Sequence, residues 1–460
     1  MTLLVAEGRR ASAIIDQLEP GISTVFFYRL VQWYLPNNPE LNLLVVARAD
    51  DSGGGRSLLV AEVSGGSGSL LPEHLLSGKC LSPEEISELG VLLQAPIVNL
   101  CQPLRLESVA IPKPWGQEIW YTGIEQRGLS RVTDGQYSVP LAWLIAVAPY
   151  HLMGAVGQMP NLLKILDPVS EPVYGDLYFE LHEQKREVYV VTHVDRQAWQ
   201  DGIGRIRYGF SRAMRDGFGS DDGFRIAYRE AVMSYREVRR QIDTLIDCLR
   251  EEAGVPLNEP VSTARAKRWL QRLPADLLEE EQRLREAMNR FTHLKPLQVG
   301  DVVKVPLLTP HALQHGVRTI EFQTPVYERK ILSFGQKVLT QAEWDTDAAI
   351  ELMSVHVPQD EALAIIDENS SVRRELVADF EDFEVQRVTL QQGAQWQLDR
   401  TQEHAVVIVV SGELGFGDVA VANEQAVFIP AQCDHISLCN LAVGPSVLLV
   451  SQPRLNNCGC

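Results

Sequence analysis

The spacing of apolar positions changes several times along the chain. Near the N-terminus, RRASAIIDQL carries apolar residues at helical spacing, and LNLLVVARADDSGGGRSLLVAEV reads as two apolar strands joined by a Gly/Ser loop. A second loop, SGGSGS, precedes SPEEISELGVLL, where Ser82 followed by Glu84 and Glu85 opens a helix. Residues 1–105 are therefore expected to form an α+β unit. From 106 to 211 the pattern becomes short strands separated by Pro and Gly: VAIPKPWGQEIWYTG, LAWLIAVAP, NLLKILDPVSEPVYGDLYFELH and REVYVVTHVD, the spacing of a sandwich or barrel. Residues 212–292 form a charged block with apolar residues at three and four, as in FRIAYREAVMSYREVRRQIDTLIDCLREEAG and ADLLEEEQRLREAMNRF, which predicts solvated amphipathic helices. Strands resume over 293–345 in LQVGDVVKVPLLTPHAL and RTIEFQTPVYERKIL, and a last β-rich unit occupies 346–460. The predicted fold class is mainly β with an α insertion: a β-barrel interrupted by helices, a second barrel after it, and the α+β unit in front.

Composition narrows the function classes. A chain of 460 residues exceeds the size at which a single core stops growing. With 45% hydrophobic and 22% charged residues, and no apolar run long enough for a membrane helix, a soluble protein is expected. The opening MTLLVAEGRRASAIIDQLEPG lacks the long apolar centre of a secretory signal, so the expected location is cytoplasmic. A net charge of -18 opposes binding to nucleic acid or an anionic membrane, because both need clustered Lys and Arg. The seven cysteines are scattered without paired CxxC spacing and read as reduced thiols, with the terminal CGC as a frayed tail. Acidic charge and a barrel pair are compatible with a monomer or a homodimer.

The candidate chemistry sits in LYFELHEQKREVYVV, residues 177–191. Strand alternation puts Leu177, Phe179 and Leu181 on one face and Tyr178, Glu180 and His182 on the other. A tight turn, EQKR, would then return the chain in a hairpin whose second strand starts at Glu187. His311, in VPLLTPHAL, is a second imidazole bounded by Pro306 and Pro310 after the Gly300-Asp301 turn. Two His with two carboxylates suit zinc, manganese or iron. The competing reading is a surface hairpin with charges at its tip.

Four segments in order resemble the type I phosphomannose isomerases, a metal-dependent branch of the cupin superfamily. KPWGQEIW at 113–120 is similar to the family's aromatic-Trp-Gly segment, and NLLKILDPVSEPVYGDLYFELH to the strand pair that ends in its Gln-x-His motif. KREVYVV at 185–191 resembles its Lys-x-Glu strand, and LQVGDVVKVPLLTPHAL with RTIEFQTPVYERKI resembles its ligand-histidine and Glu-x-Gln strands. The helical block falls where the family carries its helical domain. The resemblance covers roughly residues 110–455 and implies two cupin-like (jelly-roll) barrels, the second metal-free, since it offers only His404 and His435.

What the resemblance implies for the site is residue-specific. Glu180, His182, Glu187 and His311 become the ligands of one divalent metal ion, zinc in the first place, with Glu180 where the family has Gln. Lys185 and Glu321 become candidates for proton transfer or substrate contact, and Arg329 or Lys330 for an anion clamp. Trp115 becomes a candidate to line a sugar pocket, with Trp120 beside it in sequence. The implied activity is a sugar-phosphate aldose-ketose isomerase, mannose 6-phosphate to fructose 6-phosphate. Three departures favour the alternatives of a sugar-binding or regulatory cupin, or a cupin enzyme acting on another sugar. His182 is followed by Glu183 rather than Pro-Asp, only YERKILSF represents the family's Arg-bearing aromatic segment, and its later Ser-Asp-Asn segment has no counterpart.

Overall fold

In the computed structural model, which describes residues 5–52, 54–63, 80–155, 157, 159–359, 361–398, 402–417, 419–433 and 435–454, the first apolar runs build a five-stranded sheet. Val5–Ala6 lies parallel to Ser23–Val31, and Glu40–Ala49, Arg56–Glu62 and Ile97–Asn99 follow in antiparallel order. Leu44 and Val46 pair in register with Ala61 and Leu59, so all four share one face. That face packs on Ile86 and Leu89 of helix Pro83–Leu93. Ser82 and Glu85 close a complete capping box at the start of this helix. SGGSGS and the terminal CGC lie outside the described residues.

The chain divides into two compact units, one of Met1–Val109, Trp120–Leu163 and Leu363–Cys460, the other of Ala110–Ile119 and Lys164–Ala362. In the first unit Leu104–Glu107 pairs with Ala426–Ile429, so one nine-stranded sheet draws strands from both ends of the chain. Its Val388, Val407 and Leu448 pack against Leu414, Phe416 and Leu438 of a four-stranded sheet. LAWLIAVAP, expected as a strand, forms helices Leu141–Val147 and Pro149–Met153 instead. A short run that has no polar residue at any position carries no sequence period to separate strand from helix. Pro140 at the N-cap and Pro149 in the first turn fix where the two helices start.

The second unit stacks two sheets. The six-stranded one runs Val302–Val305, Glu187–Val194, Val317–Gln323, Leu162–Pro168, Gly116–Trp120 and Val109–Lys113; the five-stranded one runs Thr292–Leu297, Gly204–Phe210, His311–Leu313, Phe179–Leu181 and Lys330–Ser333. Tyr189, Val191 and Val303 of the first meet Tyr208, Leu313 and Ile331 of the second in a shared interior. The other face of the five-stranded sheet presents Phe179, Leu181, Phe210 and Leu332 to Phe224, Tyr228 and Tyr235 of helix Asp221–Glu252. That 32-residue helix starts at Ser220, whose side chain accepts from Gly223 N, with Asp221 and Asp222 in its first turn. Gly116 sits at φ 145°, and a Cβ there would run into the Asp167 carbonyl of the neighbouring strand. No helix among the described residues is long and apolar enough to cross a membrane.

Candidate metal centre

The expected alternation is present from Tyr178 to Leu181, with Tyr178 in the interior between the sheets and Phe179 and Leu181 in the helix-packed layer, but Leu177, expected with the latter two, packs on the interior side with Tyr178. The expected hairpin is not. Phe179–Leu181 pairs with His311–Leu313 and Lys330–Ser333, whereas Glu187–Val194 pairs with Val302–Val305 and Val317–Gln323. Residues 182–186 therefore cross from one sheet to the other. Glu187–Val194 is buried along most of its length and needs a ladder on both edges, which a three-residue partner on one side cannot supply. The crossing is held by Glu183 N and Gln184 N donating to Glu328 Oε2 at 2.9 and 3.2 Å, and by Leu308 N donating to the His182 carbonyl at 2.8 Å.

Sheet register then gathers residues that are remote in sequence. His311 is the cross-strand partner of Glu180 on one side and of Tyr208 on the other. Glu187 starts the facing sheet, between Val305 and Gln323. The ligand atoms of His182, Glu187 and His311 all lie within 4.8 Å of one another, and all three residues are buried. Glu187 Oε1 is 2.5 Å from His311 Nε2 and 3.4 Å from His182 Nε2. The Tyr189 hydroxyl donates to Glu187 Oε1 at 2.5 Å and lies 3.1 Å from His311 Nε2.

Both imidazoles are oriented the same way. His182 Nδ1 donates to the Glu328 carbonyl and His311 Nδ1 to the Thr309 carbonyl, each at 3.0 Å. Spending Nδ1 on a carbonyl leaves Nε2 as the free coordinating nitrogen, the arrangement usual for metal-bound histidine. His182 Nε2 is buried without a hydrogen bond. An orphaned imidazole nitrogen beside a buried carboxylate and a second Nε2 is a donor set that fits a divalent ion of the zinc type.

The electrostatics of Glu187 and His182 agree with that fit, whereas His311 without an ion holds its proton more firmly. Burial would raise the Glu187 carboxyl, but Lys185, His182 and His311 outweigh it and hold it well below the usual carboxylate range. Burial, with Lys185 adding to it, lowers the His182 imidazole and keeps its Nε2 lone pair available. For His311 burial works downward, but the adjacent Glu187 carboxylate wins and raises it. Burial also works upward on Glu180, which the Arg329 guanidinium holds down together with His182 and Lys185.

Glu180 stands at the rim of the group of three. Its Oε1 is 3.9 Å from His182 Nε2, and its Oε2 is 3.4 Å from Arg329 Nη1. Arg329 also donates to Thr340 Oγ1 at 2.6 Å and lies over the Tyr178 ring. Lys185 Nζ is 3.2 Å from Glu187 Oε2. Lys330 reaches Glu183 at 2.6 Å. Trp115 is buried in the interior with Leu166 and Tyr178. His404, in the other unit, stacks on Phe428, and His435 is exposed.

Glu321 is the cross-strand partner of Tyr189 and points to the same face. Its Oε1 is 3.3 Å from Lys164 Nζ, which is also 3.9 Å from Glu118 Oε2, and Lys113 is 3.2 Å from Glu118 Oε1. One ammonium thus serves two carboxylates. Burial would lower the Lys164 ammonium, but Glu118 and Glu321 outweigh it and raise it. Glu321, the more buried acid, is pushed up to about 8 by burial, against Lys164 and with Glu187 adding to the rise. Sequence reasoning did not name Tyr189, Lys164 or Glu118. Tyr189 was within reach, two positions after Glu187 on one strand face. The signal for Lys164 was a lone charge inside the apolar run LLKIL.

No family model matches the chain, and no curated protein sequence does. Among solved structures, the chain is similar to the mannose 6-phosphate isomerase from Bacillus subtilis, at 15% identity and a TM-score of 0.52 over 76% of this chain and 99% of that one. A mutant phosphomannose isomerase from Salmonella typhimurium matches at 13% identity and a TM-score of 0.54, covering 77% of this chain and 100% of its own. A mannose 6-phosphate isomerase bound with zinc and yttrium matches at 13% identity and a TM-score of 0.53, with the same coverage. At such identities the likeness shows the fold alone.

Proposed function

We propose that His182, Glu187 and His311, with Glu180 at the rim, hold one divalent metal ion, zinc first and manganese or iron as alternatives. We propose further that the chain is a metal-dependent aldose-ketose isomerase of a sugar phosphate, converting mannose 6-phosphate to fructose 6-phosphate or a close analogue. The observation that carries the reading is the orphaned, buried His182 Nε2 facing Glu187 and His311, with both Nδ1 atoms held by carbonyls. When bound, the ion supplies a Lewis acid for the sugar oxygens at C1 and C2.

The remaining chemistry belongs to the chain's own residues. An isomerase of this class moves a proton between C1 and C2, and Glu321, pushed up to about 8, is suited to hold and return one near neutral pH. Lys164 keeps the charge balance of Glu321 and Glu118. Lys185 holds Glu187 as the carboxylate that a metal needs. Arg329 brings positive charge to the Glu180 rim for the phosphate, while Lys330 is engaged by Glu183 and the buried Trp115 offers a sugar no open face.

The Arg329–Glu180 ion pair favours a second reading, because a guanidinium already engaged by a carboxylate is a weaker phosphate clamp. Under it the chain binds or converts a different sugar, or acts as a regulatory sugar-binding protein. Elemental analysis of wild type and of His182→Ala/His311→Ala, with a coupled assay from mannose 6-phosphate to fructose 6-phosphate, separates the two. Stoichiometric metal lost in the variant, with turnover in wild type, supports the isomerase. Metal without turnover supports the second reading, and wild type that takes no metal on reconstitution refutes the site.

A further inference from the structure

Each imidazole of the metal centre is aimed by a bond from Nδ1 to a backbone carbonyl. Glu187 is aimed by side chains instead. The terminal torsion of a glutamate is broad, so burial by itself leaves Oε1 free to turn away from both Nε2 atoms. The groups on its two oxygens therefore set its direction. Lys185 Nζ lies 3.2 Å from Oε2, and the Tyr189 hydroxyl donates to Oε1 at 2.5 Å. Oε1 is the oxygen that lies 2.5 Å from His311 Nε2 and 3.4 Å from His182 Nε2.

Tyr189 can fix that oxygen because packing fixes its own ring. It stands two residues after Glu187 on one strand, so alternation puts both side chains on the same face. The ring is 4% exposed, pairs across the sheet with Val303 and Glu321, and packs with Val191, Tyr208 and Leu313. Its hydroxyl also lies 3.1 Å from His311 Nε2, which places it between two members of the donor set. A carboxylate oxygen carries two lone pairs, so Oε1 can accept from the phenol and still face an ion.

We infer that Tyr189 is a positioning residue of the metal centre: through its bond to Glu187 Oε1 it aims the carboxylate at the two Nε2 atoms, and so sets how tightly the ion is held. The inference rests on the metal-centre reading and is independent of which sugar, if any, the chain converts.

Zinc titration of the metal-stripped full chain in competition with a chromophoric chelator tests it. Tyr189→Phe keeps the ring and removes the donor, and is expected to hold zinc about 10–100-fold more weakly than wild type, the usual loss when a ligand is deprived of its hydrogen-bond partner. Tyr208→Phe is the control, since its hydroxyl lies in the same interior but donates to the Lys304 carbonyl at 2.6 Å; its zinc affinity is expected to equal that of wild type. In a Glu187→Gln background, Tyr189→Phe is expected to cost nothing further, because the carboxylate it aims is gone. Wild-type affinity in Tyr189→Phe, an equal loss in Tyr208→Phe, or the same loss with Glu187→Gln overturns the inference. A Tyr189→Phe chain that circular dichroism finds unfolded makes the hydroxyl a bond of the fold and overturns it as well. Wild type that takes no zinc refutes the metal centre itself, whereas zinc bound equally by wild type and Tyr189→Phe refutes only the role of Tyr189.

Discussion

Replacing Glu321 by Gln isolates the titration of one buried carboxyl. Glu321 is 1% exposed, and burial lifts it from 4.5 to about 8, with Lys164 opposing and Glu187 adding to the rise. Between those two values the folded chain holds a proton that the unfolded chain has released. Stability therefore falls as pH rises through that window and levels off above it. Holding one proton costs about 1.4 kcal/mol for every pH unit crossed, so the whole window costs on the order of 5 kcal/mol. Glutamine keeps the shape of the protonated acid and has nothing to release. Urea titrations of metal-stripped wild type and Glu321→Gln, followed by tryptophan fluorescence from pH 5 to 8.5, measure the difference with every other group in common. The two should be nearly equal at pH 5, and the variant should be the more stable by several kcal/mol at the alkaline end. A difference independent of pH, or a wild type that gains on the variant as pH rises, would mean that Lys164 keeps Glu321 ionised throughout and would refute the reasoning.

Lys164→Met leaves the Glu118 and Glu321 carboxylates without their shared ammonium, and loss of one partner from buried pairs costs about 3–5 kcal/mol. The same urea titration should show that loss, and Glu321→Gln in the same chain should recover part of it. Ser82→Ala removes the capping box of helix Pro83–Leu93 and should cost about 1 kcal/mol, read as faster amide exchange at Glu85 with little change in the second unit. Asp176 accepts from His315 Nδ1 at 2.6 Å and from His315 N at 3.1 Å. Burial raises its carboxyl, but these bonds outweigh it and hold Asp176 below 3.8. Its stabilisation is therefore present above that value and lost as pH falls through the native one. The advantage of wild type over Asp176→Asn should accordingly shrink between pH 5 and 3 in denaturant midpoints.

Much of the site was legible in one dimension because strands impose period two. Tyr178 facing the interior and Phe179 and Leu181 facing the helices follow from alternation alone. Ser82 with Glu85 announced a helix start, because capping is a contact between residues three apart. The amphipathic block at 212–292 announced its helices by a period that its buried Phe224, Tyr228 and Tyr235 follow. LAWLIAVAP failed the same kind of reading, since an apolar run without polar positions has no period to report.

What the chain determined by itself was therefore local: which residues turn inward, where helices begin, and which segments carry imidazoles and carboxylates. Which of those meet was decided by sheet pairing. The segment after His182 crosses between sheets instead of closing a hairpin, and His311 reaches Glu180 through a register more than a hundred residues away in sequence. The environment of Glu321 likewise depends on Lys164 and Glu118, supplied by strands that neighbour one another only in the sheet. Hydrogen-bond ladders between strands are set by burial on both faces and both edges at once, and that requirement is met only by the assembled sheets, not by any single stretch of the chain.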